Sequence, residues 1–158
     1  MLQPRAHSLR IHFTPIHAAG APSVAASGGS PVSDRLRRIE HGIVLQDFSG
    51  LRVTADVILL IGEARDFMEK QPKGEMLVLT DFSDSTFDRE VANAMRALAE
   101  HHKPWVKASA LVGLTPLMRM VYRTIVALTR RDIRVCETRA EAIAYLVGHR
   151  ATQVSARL

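Results

Sequence analysis

From residue 38 onward, apolar positions come in two kinds of block. Short runs without alternation, above all Met76 to Leu79, are the pattern of strands covered on both faces. Longer stretches carry apolar residues at helical spacing, with polar residues between. Ile39 to Phe48 reads as the first strand, centred on Ile43-Val44-Leu45, or as a short hairpin if His41-Gly42 is a tight turn. After the break at Ser49-Gly50, Thr54 is placed to cap a helix whose stripe is Val57, Leu60, Ile61, Ala64, Phe67 and Met68. Gln71-Pro72-Lys73-Gly74 ends that helix and turns the chain into the Met76 strand.

The stretch from Met76 to Ala99 organises the rest. Its strand runs into a turn, Asp81 to Thr86, rich in side chains that hydrogen-bond nearby backbone, and Asp88 is placed to accept from the first N-H groups of the next helix. Val91, Ala94, Met95, Leu98 and Ala99 give that helix one apolar face. It ends at His101-His102-Lys103-Pro104, where cations suit the negative end of the helix dipole.

Val106 to Val112 is the next strand, with Lys107 inside it, a residue that must snorkel, pair, lie on an edge or face a pocket. Gly113-Leu114-Thr115-Pro116 opens a third helix, from Leu117 to about Thr129, with threonine as cap and proline at the first helical position. That helix is apolar over more than half its circumference, and Arg119 and Arg123 stand on its polar side. Packing on the sheet is its expected use. A fourth strand, Ile133 to Cys136, precedes a capping box at Thr138 to Glu141. The last helix, expected to bury Ala142, Ile143, Leu146 and Val147, ends at Gly148, with 151–158 frayed. The order is β-α-β-α-β-α-β-α, an α/β domain over residues 34–150: a small, mostly parallel sheet of four to five strands with about four helices.

Residues 1–33 have no sustained apolar period and end in an Ala/Ser/Gly/Pro tract, so they are expected to form a disordered extension. His7, His12 and His17 recur every five residues, sharing no helical face, and are not read as ligands. Charge is uneven. Residues 34–100 carry 9 basic and 13 acidic side chains, a balance of −4, whereas residues 101–158 carry 10 basic and 3 acidic, a balance of +7. A basic half is compatible with an anionic lipid surface or an acidic partner. With eight aromatic residues and no recognition motif, nucleic acid is not the expected partner.

Cys136, the single cysteine, excludes an intramolecular disulfide and a CxxC pair, and points to a reducing, cytoplasmic setting. There is no GxSxG, HExxH or P-loop to anchor a catalytic set. The expectation is therefore a non-enzymatic domain with no cofactor and no metal. Its candidate site is the polar turn Ser83, Asp84, Ser85 and Thr86 with Gly113 and Thr115 beside it and Lys107 nearby, since hydroxyls and helix N-termini suit an anion.

Four segments, IEHGIVLQDFSGL, QPKGEMLVLTDF, HHKPWVKASALVGLTPLMRMVY and ETRAEAIAYL, resemble the STAS-like bacterial domain family, whose superfamily includes anti-sigma-factor antagonists and is related to CRAL-TRIO lipid-transfer domains. The resemblance spans about residues 38–148. It implies a regulatory domain that binds a protein partner, a nucleotide or a small anionic or lipid-like ligand. It also makes Ser85 the nearest match to the serine that a partner kinase phosphorylates in the antagonists. The chain departs from that pattern at Phe87, where the family has glycine, and Asp88 and Glu90 would repel an added phosphate. An alternative is a peripheral membrane protein using the basic amphipathic third helix. Self-association is left open.

Overall fold

The computed structural model describes residues 32–130 and 132–156. The expectations for most of the N-terminal extension, including His7, His12 and His17, lie outside the described residues.

The chain opens with a hairpin. β1 (Leu36–Arg38) and β2 (Val44–Asp47) run antiparallel, and the link between them holds His41 at φ 57° and Gly42 at φ 67°, both left-handed. The single-strand reading of Ile39 to Phe48 thus gives way to the hairpin, because glycine after a histidine that tolerates this region can reverse the chain here. The remaining elements are α1 (Thr54–Glu69), β3 (Met76–Asp81), α2 (Arg89–His102), β4 (Val106–Val112), α3 (Pro116–Thr129), β5 (Ile133–Val135) and α4 (Arg139–Ala156).

Strand order is β1-β2-β3-β4-β5, and β2 to β5 are mutually parallel. Every residue of β3 is buried, the apolar run Met76 to Leu79 and the polar Thr80 and Asp81 alike. Because the order never reverses, right-handed crossovers put α1, α2 and α3 on the same face of the sheet. α4 covers the other. There Ile43, Leu45, Leu77, Leu79, Ala108 and Ala110 meet Ala142 and Leu146. On the three-helix face, α1 buries Val57, Leu60, Ile61, Ala64 and Met68, and Phe48, Phe82, Val91, Leu98 and Met118 continue the same core.

Some local expectations change. Thr54 is the first residue of α1, not its cap; Val53 takes the cap position, and the Thr54 hydroxyl reaches across to Asp88 Oδ2 at 2.5 Å. Asp88 does cap α2, accepting from the Val91 N-H at 2.9 Å, and Thr115 caps α3 by accepting from the Met118 N-H at 3.3 Å. α4 does not stop at Gly148 but runs to Ala156, for one glycine costs a helix about 1 kcal/mol, too little to end it. α3 packs less than its composition led us to expect. Among its described side chains only Met118 is buried, and Leu117 and Met120 are 58% and 67% exposed.

The loops after β3 and β4 touch. Gly113 has φ +73°, and a Cβ there would fall 2.3 Å from the Ser83 backbone nitrogen. Gly113→Ala therefore combines left-handed strain with a collision against backbone, and we expect it to lower unfolding free energy by more than about 2 kcal/mol, read by urea denaturation. An unchanged midpoint would show that the two loops separate freely.

Candidate functional site

The structure brings the two expected turns together and leaves the lysine out. Ser83 lies against Gly113, at the C-terminal ends of β3 and β4. Asp84 is left-handed at φ 56°, Ser85 N-H donates to Phe82 O at 3.1 Å, and Thr86 N-H donates to Leu51 O at 2.7 Å, so backbone bonds fix the turn. The Ser85 hydroxyl is buried with no hydrogen-bond partner. Phosphate transfer to it would need the turn to open. Lys107 is not near this turn. It lies at the other end of β4, six residues or about 20 Å of strand from Gly113, and its Nζ donates to His149 O at 2.8 Å.

A tripeptide that occurs twice braces the turn. Asp47-Phe48-Ser49 and Asp81-Phe82-Ser83 leave adjacent strands in register. Asp47 Oδ1 accepts from the Ser49 N-H at 3.1 Å and from its hydroxyl at 2.5 Å, while Asp81 Oδ1 accepts from the Ser83 N-H at 2.8 Å. The two phenylalanine rings stack with centroids 5.1 Å apart. Arg139, the first residue of α4, closes the pair: its Nε lies 2.5 Å from Asp81 Oδ2 and its Nη2 lies 2.9 Å from Asp47 Oδ2. Burial pushes the Asp47 carboxyl up, but the Ser49 hydroxyl and Arg139 outweigh it and hold Asp47 below the ordinary carboxylate range. The repeat, visible as QDFSG and TDFSD, is the signal that would have found this brace.

A mostly apolar concavity lies beneath the turn. A cavity of about 70 Å³ opens between the sheet, α2 and α3. Its walls are mostly apolar: Phe82 and Phe87 from either end of the turn, Met95, Leu98 and Ala99 from α2, and Met118, Val121 and Ile125 from α3. It exists because α2 presents small and flexible side chains here and the sheet beneath presents Thr80 and Ser109 instead of large aliphatics. Five polar side chains also line it: Gln46, Thr80, His102, Ser109 and Tyr122. Tyr122 is engaged, its hydroxyl donating to Ile133 O at 2.5 Å. Gln46 is only partly so. Its Oε1 accepts from the Thr80 hydroxyl at 3.2 Å, but its Nε2, on a residue 2% exposed, has no partner. A buried amide N-H left so costs about 1–3 kcal/mol.

The adjacent histidines diverge, as helical neighbours must. His101 Nε2 stands 3.2 Å from Glu69 Oε1, and His102 turns inward to the cavity. Among the described residues, no group of three or more His, Cys, Asp or Glu is placed to hold a metal ion. No described helix is long and apolar enough to cross a membrane. Compared with protein-family models, curated proteins and solved structures, the chain matches none.

Arg139→Gln should lower stability at neutral pH by about 1–3 kcal/mol, because Asp81 stays buried without its cation while solvent screens the exposed side of the cluster. Asp47 has a lowered folded-state pKa, so its contribution is fully present above the ordinary aspartate value of about 3.9 and is lost as pH falls through the folded value. Thermal unfolding across acid pH should therefore show a steeper decline for the parent than for Arg139→Gln. Parallel declines would refute the role given to the clamp.

Proposed function

We propose that the chain is a non-enzymatic, STAS-like ligand-binding domain that takes a small lipid-like molecule between its sheet and the α2–α3 layer, and that occupancy governs recognition of a protein partner at the Ser83 to Thr86 turn. The observation carrying this reading is the mostly apolar cavity itself, lined in part by Gln46, whose Nε2 is buried there with no hydrogen-bond partner. A ligand with an apolar body and one acceptor oxygen would satisfy it, and apolar walls with a few placed polar groups are what small-molecule sites have in common.

Size sets a condition. An engineered cavity of about 150 Å³ admits benzene, and this one is about 70 Å³. A longer ligand must displace α3, whose shallow seating makes that movement inexpensive. Phe82 and Phe87 flank the turn and also line the cavity, so a ligand pressing on them would shift the turn's backbone. That is how a buried ligand would be read by a partner outside.

A second reading, a contact with anionic membrane, is favoured by one observation. Leu117 and Met120 are exposed on α3, the helix that also carries Arg119 and Arg123.

Thermal-shift measurements with fatty acids from octanoate to palmitate test the first reading, alongside native mass spectrometry for co-purified ligand. At least one acid should raise Tm by several degrees. Gln46→Leu with Thr80→Val replaces both hydrogen-bonding partners by apolar groups, so it should be as stable as the parent or more so, yet lose that rise. No shift with any acid and no bound ligand would sink the proposal. For the second reading, Leu117→Ser with Met120→Ser should abolish sedimentation with phosphatidylserine vesicles at low salt; a parent chain that stays in the supernatant rules it out.

A further inference from the structure

We infer that the opposite end of the sheet, away from the cavity beneath α3, holds a site for a phosphate-bearing anion built from Arg38, Lys107 and Arg150. These three cations line one concavity of about 250 Å³ at the N-terminal ends of β3 and β4. Arg38 comes from β1, Lys107 from β4 and Arg150 from α4. Three separate elements must fold together to assemble it.

Lys107 is placed by a bulge. β3 and β4 pair as Met76 with Val106 and then Leu77 with Ala108, so Lys107 is the extra residue that β3 does not match. β5 does not reach it either, since its pairing begins at Ser109. A bulge re-aims a side chain out of the regular ladder, and that accounts for a lysine in a strand otherwise made of small and apolar residues.

The three cations are held by neutral acceptors. Lys107 Nζ donates to His149 O at 2.8 Å; Arg38 Nη1 donates to Gly42 O at 3.4 Å and its Nη2 to Gln71 Oε1; Arg150 Nη1 donates to His41 O. None of the ion pairs among the described residues includes any of them, and of the described residues lining the concavity Glu75 is the single acid. The left-handed His41-Gly42 turn supplies two of the acceptors, and Gly42 lets the Arg150 guanidinium approach to 3.3 Å of where a Cβ would stand. Carbonyls orient the cations without neutralising them. Like charges gathered in this way repel one another, and a polyvalent oxyanion relieves that repulsion while using the donors each cation has left. The volume lies just under the usual range of about 300–1,000 Å³ for drug-sized ligands, which suits a diphosphate or a phosphate headgroup.

Isothermal titration of the full chain with inorganic pyrophosphate at low ionic strength tests the site, alongside sedimentation with phosphatidylcholine vesicles containing phosphatidic acid. Saturable binding to either probe is expected. Lys107→Met and Arg150→Gln should each weaken it about tenfold or more, the scale of losing one charged hydrogen bond. Arg65→Gln, which removes the same charge from the exposed surface of α1, should leave it unchanged. Because Arg150 is exposed, its variant keeps the fold and separates lost binding from lost structure. Pyrophosphate binding without vesicle binding identifies a free phosphate ligand, and vesicle binding alone identifies a lipid headgroup. Binding of neither probe, or equal weakening by Arg65→Gln, overturns the inference.

Discussion

The Arg139 guanidinium between Asp47 and Asp81 is the contact on which the rest of the domain depends. It ties the first residue of α4 to two adjacent parallel strands at the point where both enter their turns. The same aspartates use their other oxygens to hold the serines two residues on. One charge cluster therefore sets the docking of the helix on one face and the path of the loops that lead to the other. The Phe48–Phe82 stack sits between these tasks and passes the geometry of the clamp into the three-helix core. A hydrophobic pair could supply the burial, but it could not at once accept from the two serines and from α4.

Much of the fold was legible in the sequence because local and tertiary demands agree there. The Val106 to Val112 strand, the Thr115-Pro116 helix start and the Asp88 cap fall where their residue types place them. Disagreement arises where a single residue has two uses. Thr54 has the chemistry of a cap but spends its hydroxyl on Asp88, 34 positions away, and Gly148 resembles a stop yet sits inside a helix held in place by Leu146 and Ala142 on the sheet. Long-range partners decided both.

The candidate site was half legible. Hydroxyls and glycine marked the facing turns at Ser83 and Gly113, since positive φ and close approach leave a compositional trace. Lys107 stands six residues before Gly113 on one strand, so a strand rise of about 3.3 Å per residue already puts it at the other end of β4, and its separation from the turns was legible. The cavity beneath α3 left a subtler trace: Gln46, Thr80 and Ser109 each interrupt an apolar strand at an inward position. Which helix fails to fill the space above them depends on how α3 sits, and its apolar circumference gave the opposite expectation.

The two outermost strands have a consequence for how this protein meets others. β1 and β5 are three residues long, and their sequences are LRR and IRV. Short rims carrying Arg37, Arg38 and Arg134 are poor templates for an incoming strand, since an added chain would bring few backbone bonds and crowd against cations. Growth of the sheet from molecule to molecule is thus discouraged at both sides. A second protein chain would therefore have to meet this one by some route other than adding a strand to its sheet.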